Sequence, residues 1–196
     1  MAKLYFTYSA MNAGKTTILL QSAYNYRERG MQVMLWTSGH YSESEGETAH
    51  ICSRIGLEAE ARLYTEGLDL FEIISAHKNE GPLDAVFVDE AQFLSPDQVW
   101  QLARVADGLS VPVMCYGLRT DFQGKLFPGS SELLAIADQL REVRTICHCG
   151  RKATMTARLD AHGKAITEGA QVEVDKANYV SLCRRHWEEV THFHPG

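Results

Sequence analysis

The chain has 196 residues, of which 45% are hydrophobic, and a formal net charge of −6. This length suffices for one α/β core with a small annex, and the acidic balance argues against binding to nucleic acid or to an anionic membrane. No segment reaches the roughly 20 apolar residues of a transmembrane helix, and the N-terminus has no secretory signal pattern. We therefore predict a cytoplasmic protein with neither a membrane nor a nucleic-acid partner.

Strand and helix patterns alternate through the first 117 residues. Strands are predicted at 4–9, 32–36, 84–89 and 111–117, and helices at 15–29, at 69–78 and from Ser95 to near Gly108. The last helix opens with a capping-box pattern, Ser95-Pro96-Asp97-Gln98. The polar stretch 38–50 is interpreted as mostly a solvated loop. Such alternation predicts a parallel sheet covered by helices.

The stretch SAMNAGKT matches the phosphate-binding pattern G-x-x-x-x-G-K-[ST], except that Ser9 replaces the first glycine. It follows a predicted strand and opens a predicted helix, which is the context that the motif requires. Loop N–H groups are expected to hold the phosphates of ATP, Lys15 to reach the β- and γ-phosphates, and Thr16 to bind Mg²⁺. The predicted nucleotide-binding residues are Ser9, Ala10, Met11, Asn12, Ala13, Gly14, Lys15 and Thr16.

A second motif, VFVDEAQF, places carboxylates at the end of a hydrophobic strand. Asp89 is placed to hold Mg²⁺, and Glu90 can accept a proton from an attacking hydroxyl or water. The DEAQ segment also resembles a helicase signature, but such helicases need two cores and this chain has room for one. A GTPase needs N-K-x-D, which the sequence lacks. The motif therefore favours a phosphotransferase over a motor or a switch.

The cysteine distribution indicates a metal site, because three of the five cysteines follow residue 146. Thiolates and an imidazole at this spacing suit a tetrahedral zinc. The best ligand set is Cys147, Cys149, Cys183 and His186. His148 is an alternative ligand because C-x-C is tight, and His192 or His194 could replace His186. Four protein ligands leave no open position, which favours structural over catalytic zinc.

The character of the sequence changes after about Thr145, where cysteines, glycines and polar residues replace long apolar runs. We predict two domains, a nucleotide-binding core at 1–145 and a small zinc-binding domain at 146–196. The predicted fold class is α/β, a P-loop (RecA-like) parallel sheet with helices on both faces, plus the small zinc-stapled domain.

Five segments in this order, spread over nearly the whole chain, resemble the type II thymidine kinase family: SAMNAGKTT, VFVDEAQF, YGLRTDFQGKLF, CHC with RKATMTARL, and NYVSLCRRH. The resemblance implies transfer of the ATP γ-phosphate to the 5′-hydroxyl of thymidine, giving dTMP in nucleoside salvage for DNA synthesis. It also implies a homotetramer that uses Mg²⁺ and a structural Zn²⁺, with feedback by the triphosphate end product. Within the domain 146–196, the segment from Thr167 to Ser181 would form a lasso over the nucleoside.

The resemblance also implies roles for individual residues. Glu90 matches the general base, Asp89 the magnesium-associated acid, and Gln92 falls among the nucleotide-binding residues. Phe122 matches the aromatic near thymine, and Tyr179 an aromatic contact of the lasso, which would read the base largely through main-chain hydrogen bonds. The full set of expected substrate-binding residues is Phe122, Arg119, Asp121, Thr156, Gln171, Val172, Glu173, Val174 and Tyr179.

Two positions depart from the family pattern: Ser38-Gly39-His40 stands where Asp-x-Arg is common, and Val174-Asp175 where Gly-Gly is usual. Arg54 or His40 could compensate for the first change. Two alternative functions remain open. One is a zinc-containing P-loop ATPase that binds nucleic acid and is stimulated by it. The other is a nucleotide sensor that binds ATP without transferring phosphate.

Overall fold

The computed structural model describes residues 1–39, 48–171 and 178–192. Residues 1–39 and 48–142 form the strands and helices of its first part. In chain order these are β1 (Leu4–Ser9), α1 (Lys15–Glu28), β2 (Val33–Ser38), β3 (Thr48–Cys52), β4 (Glu58–Tyr64), α2 (Leu70–Glu80), β5 (Ala85–Val88), α3 (Pro96–Leu109), β6 (Val113–Leu118), α4 (Pro128–Ile136) and β7 (Gln139–Glu142). A short 3-10 helix, Ala91–Phe93, follows β5.

These strands form one seven-stranded sheet in the order β3-β4-β2-β5-β6-β1-β7. All neighbouring strands are parallel except β3 and β4, which form an antiparallel pair at one edge. The predicted parallel sheet is therefore confirmed, with one antiparallel edge strand added. Because the carboxyl ends of parallel strands share one edge, the ends of β1 and β5 bring the two predicted motifs to the same side of the sheet.

Helices cover both faces of the sheet, as predicted. Leu70, Leu102 and Leu133, from α2, α3 and α4, are buried in one apolar cluster. Leu19 and Ala23, from α1, are buried in a second cluster on the other face. Burial on both sides explains why the central strands read as nearly continuous apolar runs.

Local sequence patterns correctly predicted several elements. The capping box at the start of α3 is confirmed, since the Ser95 hydroxyl accepts from the Gln98 N–H at 3.2 Å and the Gln98 side chain accepts from the Ser95 N–H at 3.1 Å. The predicted helix at 69–78 begins one residue later, because Asp69 is its N-cap. The strands β3, β4 and β7 and the helix α4 were not predicted.

The loop interpretation of 38–50 was wrong for part of that stretch. Ser38 ends β2, and residues 48–50 begin β3, which pairs with β4 and gains ladder hydrogen bonds. The remainder, including His40, lies outside the described residues apart from Gly39.

The chain beyond residue 144 forms smaller units. They are β8 (Thr145–Ile146), β9 (Lys152–Ala153), β10 (Met155–Leu159), β11 (Ala165–Ile166), β12 (Asn178–Leu182) and α5 (Arg184–Thr191). The first two form a hairpin, and the other strands form a sheet in the order β11-β10-β12. A third apolar cluster contains buried residues of this part alone, among them Ala157 and Trp187. Across the described ranges, no helix is long and apolar enough to cross a membrane.

Candidate active site

The phosphate loop joins the end of β1 to the start of α1, where helix N–H groups are free to bind an anion. Gly14 has φ +84° and Asn12 has φ +60°, so the loop turns through left-handed backbone before the helix begins. Ser9 is not among the positive-φ residues, and glycine is therefore not required there. The Ser9 hydroxyl instead accepts from the Lys15 ammonium at 2.9 Å and donates to the Ala10 carbonyl at 2.6 Å.

Two carboxylates from the end of β5 face Lys15. Burial lowers the pKa of Lys15, while the charges of Glu90 and then Asp89 oppose this shift. Burial, followed by the charge of Glu90, raises the pKa of Asp89 to about 7, against hydrogen bonds from the Glu90 backbone and the Thr16 hydroxyl. A buried carboxylate beside a second one and next to a hydroxyl is an arrangement that favours a bound cation.

Glu90 lies in left-handed backbone, with φ 53° and ψ 33°. Its carboxylate accepts from the Gln92 side-chain amide at 2.5 Å. The Gln92 side chain is fully buried, and its oxygen accepts from the Leu118 N–H at 2.9 Å. A Cβ at Gly117 would lie 2.9 Å from the Gln92 oxygen, so the glycine permits this close approach. The structure thus places Gln92 against Glu90 and β6, although the sequence analysis grouped it with the nucleotide-binding residues.

A narrow pocket lies between the phosphate loop, the segment after β6 and the C-terminal strands. Six of its lining residues were among the expected site residues: Met11, Asp121, Phe122, Thr156, Gln171 and Tyr179. Four others were missed: Phe93, Leu118, Thr120 and Phe127. Its free volume is about 20 Å³, so lining side chains must move apart to admit a nucleoside.

A wider groove of about 760 Å³ shares Phe93, Phe127 and Gln171 with the narrow pocket. Its other lining residues include Ser38 and Tyr64. A volume of this size lies within the range of small-molecule sites, roughly 300–1,000 Å³. Pocket and groove together offer space for a nucleoside next to the phosphate loop.

Direct hydrogen bonds join the phosphate loop to the C-terminal strands. The Met11 N–H donates to the Thr156 hydroxyl at 3.3 Å, and the Ser181 hydroxyl donates to the Met11 carbonyl. The Asn12 side-chain amide donates to the Tyr179 carbonyl at 3.4 Å. The strands β10 and β12 therefore form one wall of both the phosphate loop and the pocket.

Expected substrate residues in the turn after β6 also contact the C-terminal part. Asp121 accepts from the backbone N–H groups of Gln123 and Lys125, which shape the turn, and from the Gln171 side chain at 2.8 Å. Arg119 donates to the Thr154 carbonyl at 3.0 Å. Val172, Glu173, Val174 and Asp175 lie outside the described residues.

Arg158 is a buried residue that the sequence analysis missed. Its guanidinium carbon lies 4.0 Å from the centre of the Phe122 ring. The same group donates to the carbonyls of Glu168 and Ala170, each at 3.1 Å. Arg158 therefore fixes both the pocket aromatic and the chain that leads to Gln171.

The four expected zinc ligands come together. One ligand atom from each of Cys147, Cys149, Cys183 and His186 lies within 4.8 Å of the others. The sulfurs of Cys149 and Cys183 are 3.9 Å apart, and His186 Nδ1 lies 3.2 and 3.5 Å from those of Cys147 and Cys183. Tetrahedral zinc with bonds of about 2.3 Å to sulfur and about 2.0 Å to nitrogen gives edges close to these distances. The cluster is therefore compatible with zinc.

One thiol of this cluster, that of Cys147, has a lowered pKa. Burial raises the pKa of Cys147, but hydrogen bonds from the Cys149 and Cys183 backbone and from His186 outweigh it and lower the pKa to about 5. The thiolate is the form that binds metal. Of the alternative ligands, His148 stacks on the His186 ring with centroids 4.3 Å apart, and His192 is the exposed C-cap of α5. His194 lies outside the described residues.

The sequence contains only weak signals for the site residues that were not predicted. Phe93 and Phe127 stand inside two of the quoted motifs and pack edge to face, with ring centroids 5.7 Å apart. An aromatic in an apolar motif is usually core, so only tertiary contact assigns these two to the pocket. Arg158 lay within RKATMTARL, where nothing local predicts its burial. Arg54 is exposed in the turn between β3 and β4.

Comparison with known proteins agrees with this arrangement. A family model described as thymidine kinase matches residues 2–187. Curated thymidine kinases from Mesorhizobium japonicum, Ruegeria pomeroyi and Yersinia pseudotuberculosis are 65%, 63% and 53% identical to this chain. The alignments cover 96%, 97% and 96% of this chain and 92%, 96% and 96% of the respective relatives.

Among solved structures, a Pif1 helicase from Candida albicans aligns with a TM-score of 0.46 and 15% identity, over 74% of this chain and 36% of that one. That likeness is too low to carry an argument. The family match spans the phosphate loop, the carboxylates of β5, the pocket and the cysteine cluster together. The chain therefore belongs to the thymidine kinase family and is an ATP-using phosphotransferase.

Proposed function

We propose that this chain transfers the γ-phosphate of ATP to the 5′-hydroxyl of thymidine, giving dTMP for nucleoside salvage. One observation carries the proposal: Met11 of the phosphate loop also lines the pocket of Phe122 and Tyr179. A phosphate donor on the loop and a nucleoside in the pocket would therefore be adjacent. Direct transfer between two bound substrates needs that adjacency.

The residues of the chain contribute in two ways, by positioning the substrates and by neutralising negative charge. N–H groups of the phosphate loop bind the phosphates, and Lys15 neutralises negative charge that develops during transfer. Glu90 orients the 5′-hydroxyl and accepts its proton as the oxygen bonds to the γ-phosphorus. The bond between the γ-phosphorus and the bridging β-phosphate oxygen breaks in the same transfer, and ADP leaves with the electron pair. Gln92 holds the Glu90 carboxylate through its amide, as described above.

Two metal ions belong to the proposal. Mg²⁺ would be held by the Thr16 hydroxyl and the Asp89 carboxylate, which already contact each other, and would neutralise phosphate charge. Zn²⁺ would be held by the cysteine cluster with all four positions filled by protein, which supports a structural role.

Nucleoside recognition is assigned to the pocket and the lasso. Phe122 is proposed to pack against the thymine ring, in a pocket that Tyr179 and Thr156 also line. Asp121 and Gln171 join the two sides through their hydrogen bond. Arg119, expected to contact substrate, is proposed to secure the turn through Thr154.

We extend the proposal to organisation and location. A division at residues 145 and 146, into a kinase core and a zinc-binding lasso domain, is supported by the separate sheets and by the third apolar cluster. A homotetramer in the cytoplasm is supported by the family resemblance.

The proposal is tested by incubating the protein with γ-labelled ATP, Mg²⁺ and single nucleosides, and by separating the products. Labelled monophosphate is expected with thymidine, and little is expected with cytidine or purine nucleosides. Label release independent of nucleoside but increased by DNA or RNA would favour the nucleic-acid-binding ATPase instead. ATP binding without any transfer would favour the sensor.

A further inference from the structure

The backbone of Glu90 is held in a conformation that residues with a side chain rarely adopt. Its φ of 53° places it in the left-handed region, and it immediately precedes the 3-10 helix Ala91–Phe93. Non-glycine residues in this region persist where surrounding contacts hold them, and such positions cluster at functional sites. The contacts that hold Glu90 are therefore candidates for a role in catalysis.

One such contact comes from a distant strand. Tyr64 is the last residue of β4 and is only 1% exposed. Its hydroxyl donates to the Glu90 carbonyl at 2.7 Å. Since β2 lies between β4 and β5 in the sheet, the Tyr64 side chain reaches past the end of β2 to Glu90, two residues beyond the end of β5.

Ser38 orients this tyrosine. It is the last residue of β2, is paired with Tyr64 in the sheet register and is buried. Its hydroxyl bonds to the Tyr64 oxygen. Burial, followed by the charge of Glu90, raises the pKa of Tyr64 well above its usual range, against the Ser38 bond. The Tyr64 hydroxyl therefore stays protonated and can donate.

Glu90 is thus held at two points. Tyr64 binds its main-chain carbonyl, and Gln92 binds its carboxylate. The two contacts come from opposite sides, because Gln92 is itself fixed to β6 through the Leu118 N–H. A carboxylate restrained at both its backbone and its tip has little freedom to turn away from an acceptor hydroxyl.

We propose that Tyr64 is a positioning residue for phosphate transfer: its hydroxyl, oriented by Ser38, fixes the backbone of Glu90 so that the carboxylate faces the acceptor hydroxyl. This inference rests on the proposed function, in which Glu90 accepts the proton.

The test is steady-state kinetics of Tyr64→Phe in the full-length, zinc-loaded protein, with ATP and thymidine varied in turn. Removing one hydrogen bond that aligns the base is expected to lower kcat by roughly 3- to 10-fold. The KM values for both substrates should stay within about twofold, because ring and pocket are retained. Tyr116→Phe is the matched control. It removes a second buried tyrosine hydroxyl, bonded to Ser22 and packed in the apolar cluster of α1.

A double variant separates this inference from the proposed function. If Tyr64 acts through Glu90, adding Tyr64→Phe to Glu90→Gln should leave the residual rate unchanged. A near-normal rate for Glu90→Gln alone would remove the base assignment and this inference with it. If Glu90→Gln greatly lowers turnover while Tyr64→Phe and Tyr116→Phe turn over at equal rates, the positioning role alone is overturned. A change of KM rather than kcat in Tyr64→Phe would also overturn the positioning role.

Ser38→Ala supplies a second variant that keeps the tyrosine in place. It is expected to lower kcat by roughly two- to threefold, with unchanged KM values and an unchanged thermal unfolding midpoint. If Tyr64→Phe does not fold, this variant decides the question. A kcat equal to that of the unaltered protein would then overturn the proposal.

Discussion

The two parts of this chain differ in how much apolar surface they bury. Residues 1–145 contain a seven-stranded sheet with an apolar cluster on each face, and many of its largest side chains are fully buried. The described residues beyond 145 contain short strands and one small apolar cluster that includes two of the cysteines. Full burial of one large apolar side chain contributes about 1.5–3 kcal/mol. A structural zinc contributes about 10–16 kcal/mol of apparent free energy in zinc-finger peptides, so a zinc ion held by the cysteine cluster would substitute for several such side chains.

Because of this difference, the residues of the phosphate chemistry and those of nucleoside recognition lie in differently packed surroundings. The phosphate loop and the carboxylates belong to the well-packed part, and the loop contacts β10 and β12 through only a few hydrogen bonds. We therefore expect phosphate binding to depend little on zinc. The pocket lies between the two parts, and its walls are joined by single hydrogen bonds such as those of Met11 with Thr156 and of Gln171 with Asp121. Changes in the core are therefore expected to alter turnover, whereas changes at the junction should alter nucleoside affinity.

The largest expected effect comes from Glu90→Gln. The substitution removes the proton acceptor while keeping shape, and turnover should fall by roughly 10²–10⁴-fold. Thymidine and ATP affinity, measured by calorimetry, should change little, because the pocket and the phosphate loop are unaltered. Glu28→Gln, at the exposed end of α1, is the control for loss of a carboxylate. A turnover close to that of the control would show that phosphate transfer does not depend on the Glu90 carboxylate.

Arg158→Lys is expected to have a smaller effect, and to change the KM for thymidine rather than turnover. Lysine cannot make both bonds to Glu168 and Ala170 while stacking on Phe122. The KM for thymidine should rise by about tenfold, and the KM for ATP should be unchanged. Varying each substrate in turn separates the two values.

Arg104→Lys is the matched control for that substitution. Arg104 also stacks on an aromatic ring, that of Phe71 at 4.2 Å, but it is exposed on α3, away from the junction of the two parts. It should leave both KM values unaltered. If Arg158→Lys raised both KM values equally, or neither, the assignment of nucleoside recognition to the junction would be wrong.

The sequence predicted what short-range chemistry determines. The bounds of β1, the capping box of α3 and the grouping of three thiols with His186 all follow from local pattern and spacing. The edge hairpin of β3 and β4 was missed because its strands lie beside a polar stretch and lack a strong turn signal. Its role depends on where the sheet ends, which no local pattern encodes.

The supports of the site were missed for a related reason. Tyr64 meets Glu90 across 26 positions of sequence, and Arg158 meets Phe122 only because β10 folds against the turn after β6. Each is an ordinary residue in its local setting. Only the tertiary fold places Tyr64 against the left-handed backbone of Glu90 and makes Arg158 a bridge between residues 168–170 and the pocket.

The most direct test of this division is ligand binding by the full-length protein before and after zinc removal. Protein purified without an affinity tag would be stripped with a zinc-selective chelator and titrated separately with thymidine and with a non-hydrolysable ATP analogue in the presence of Mg²⁺. We expect thymidine binding to be lost, binding of the ATP analogue to persist, and thymidine binding to return when zinc is restored. Loss of both, or retention of both, would contradict the separation of phosphate chemistry in the core from metal-dependent nucleoside recognition.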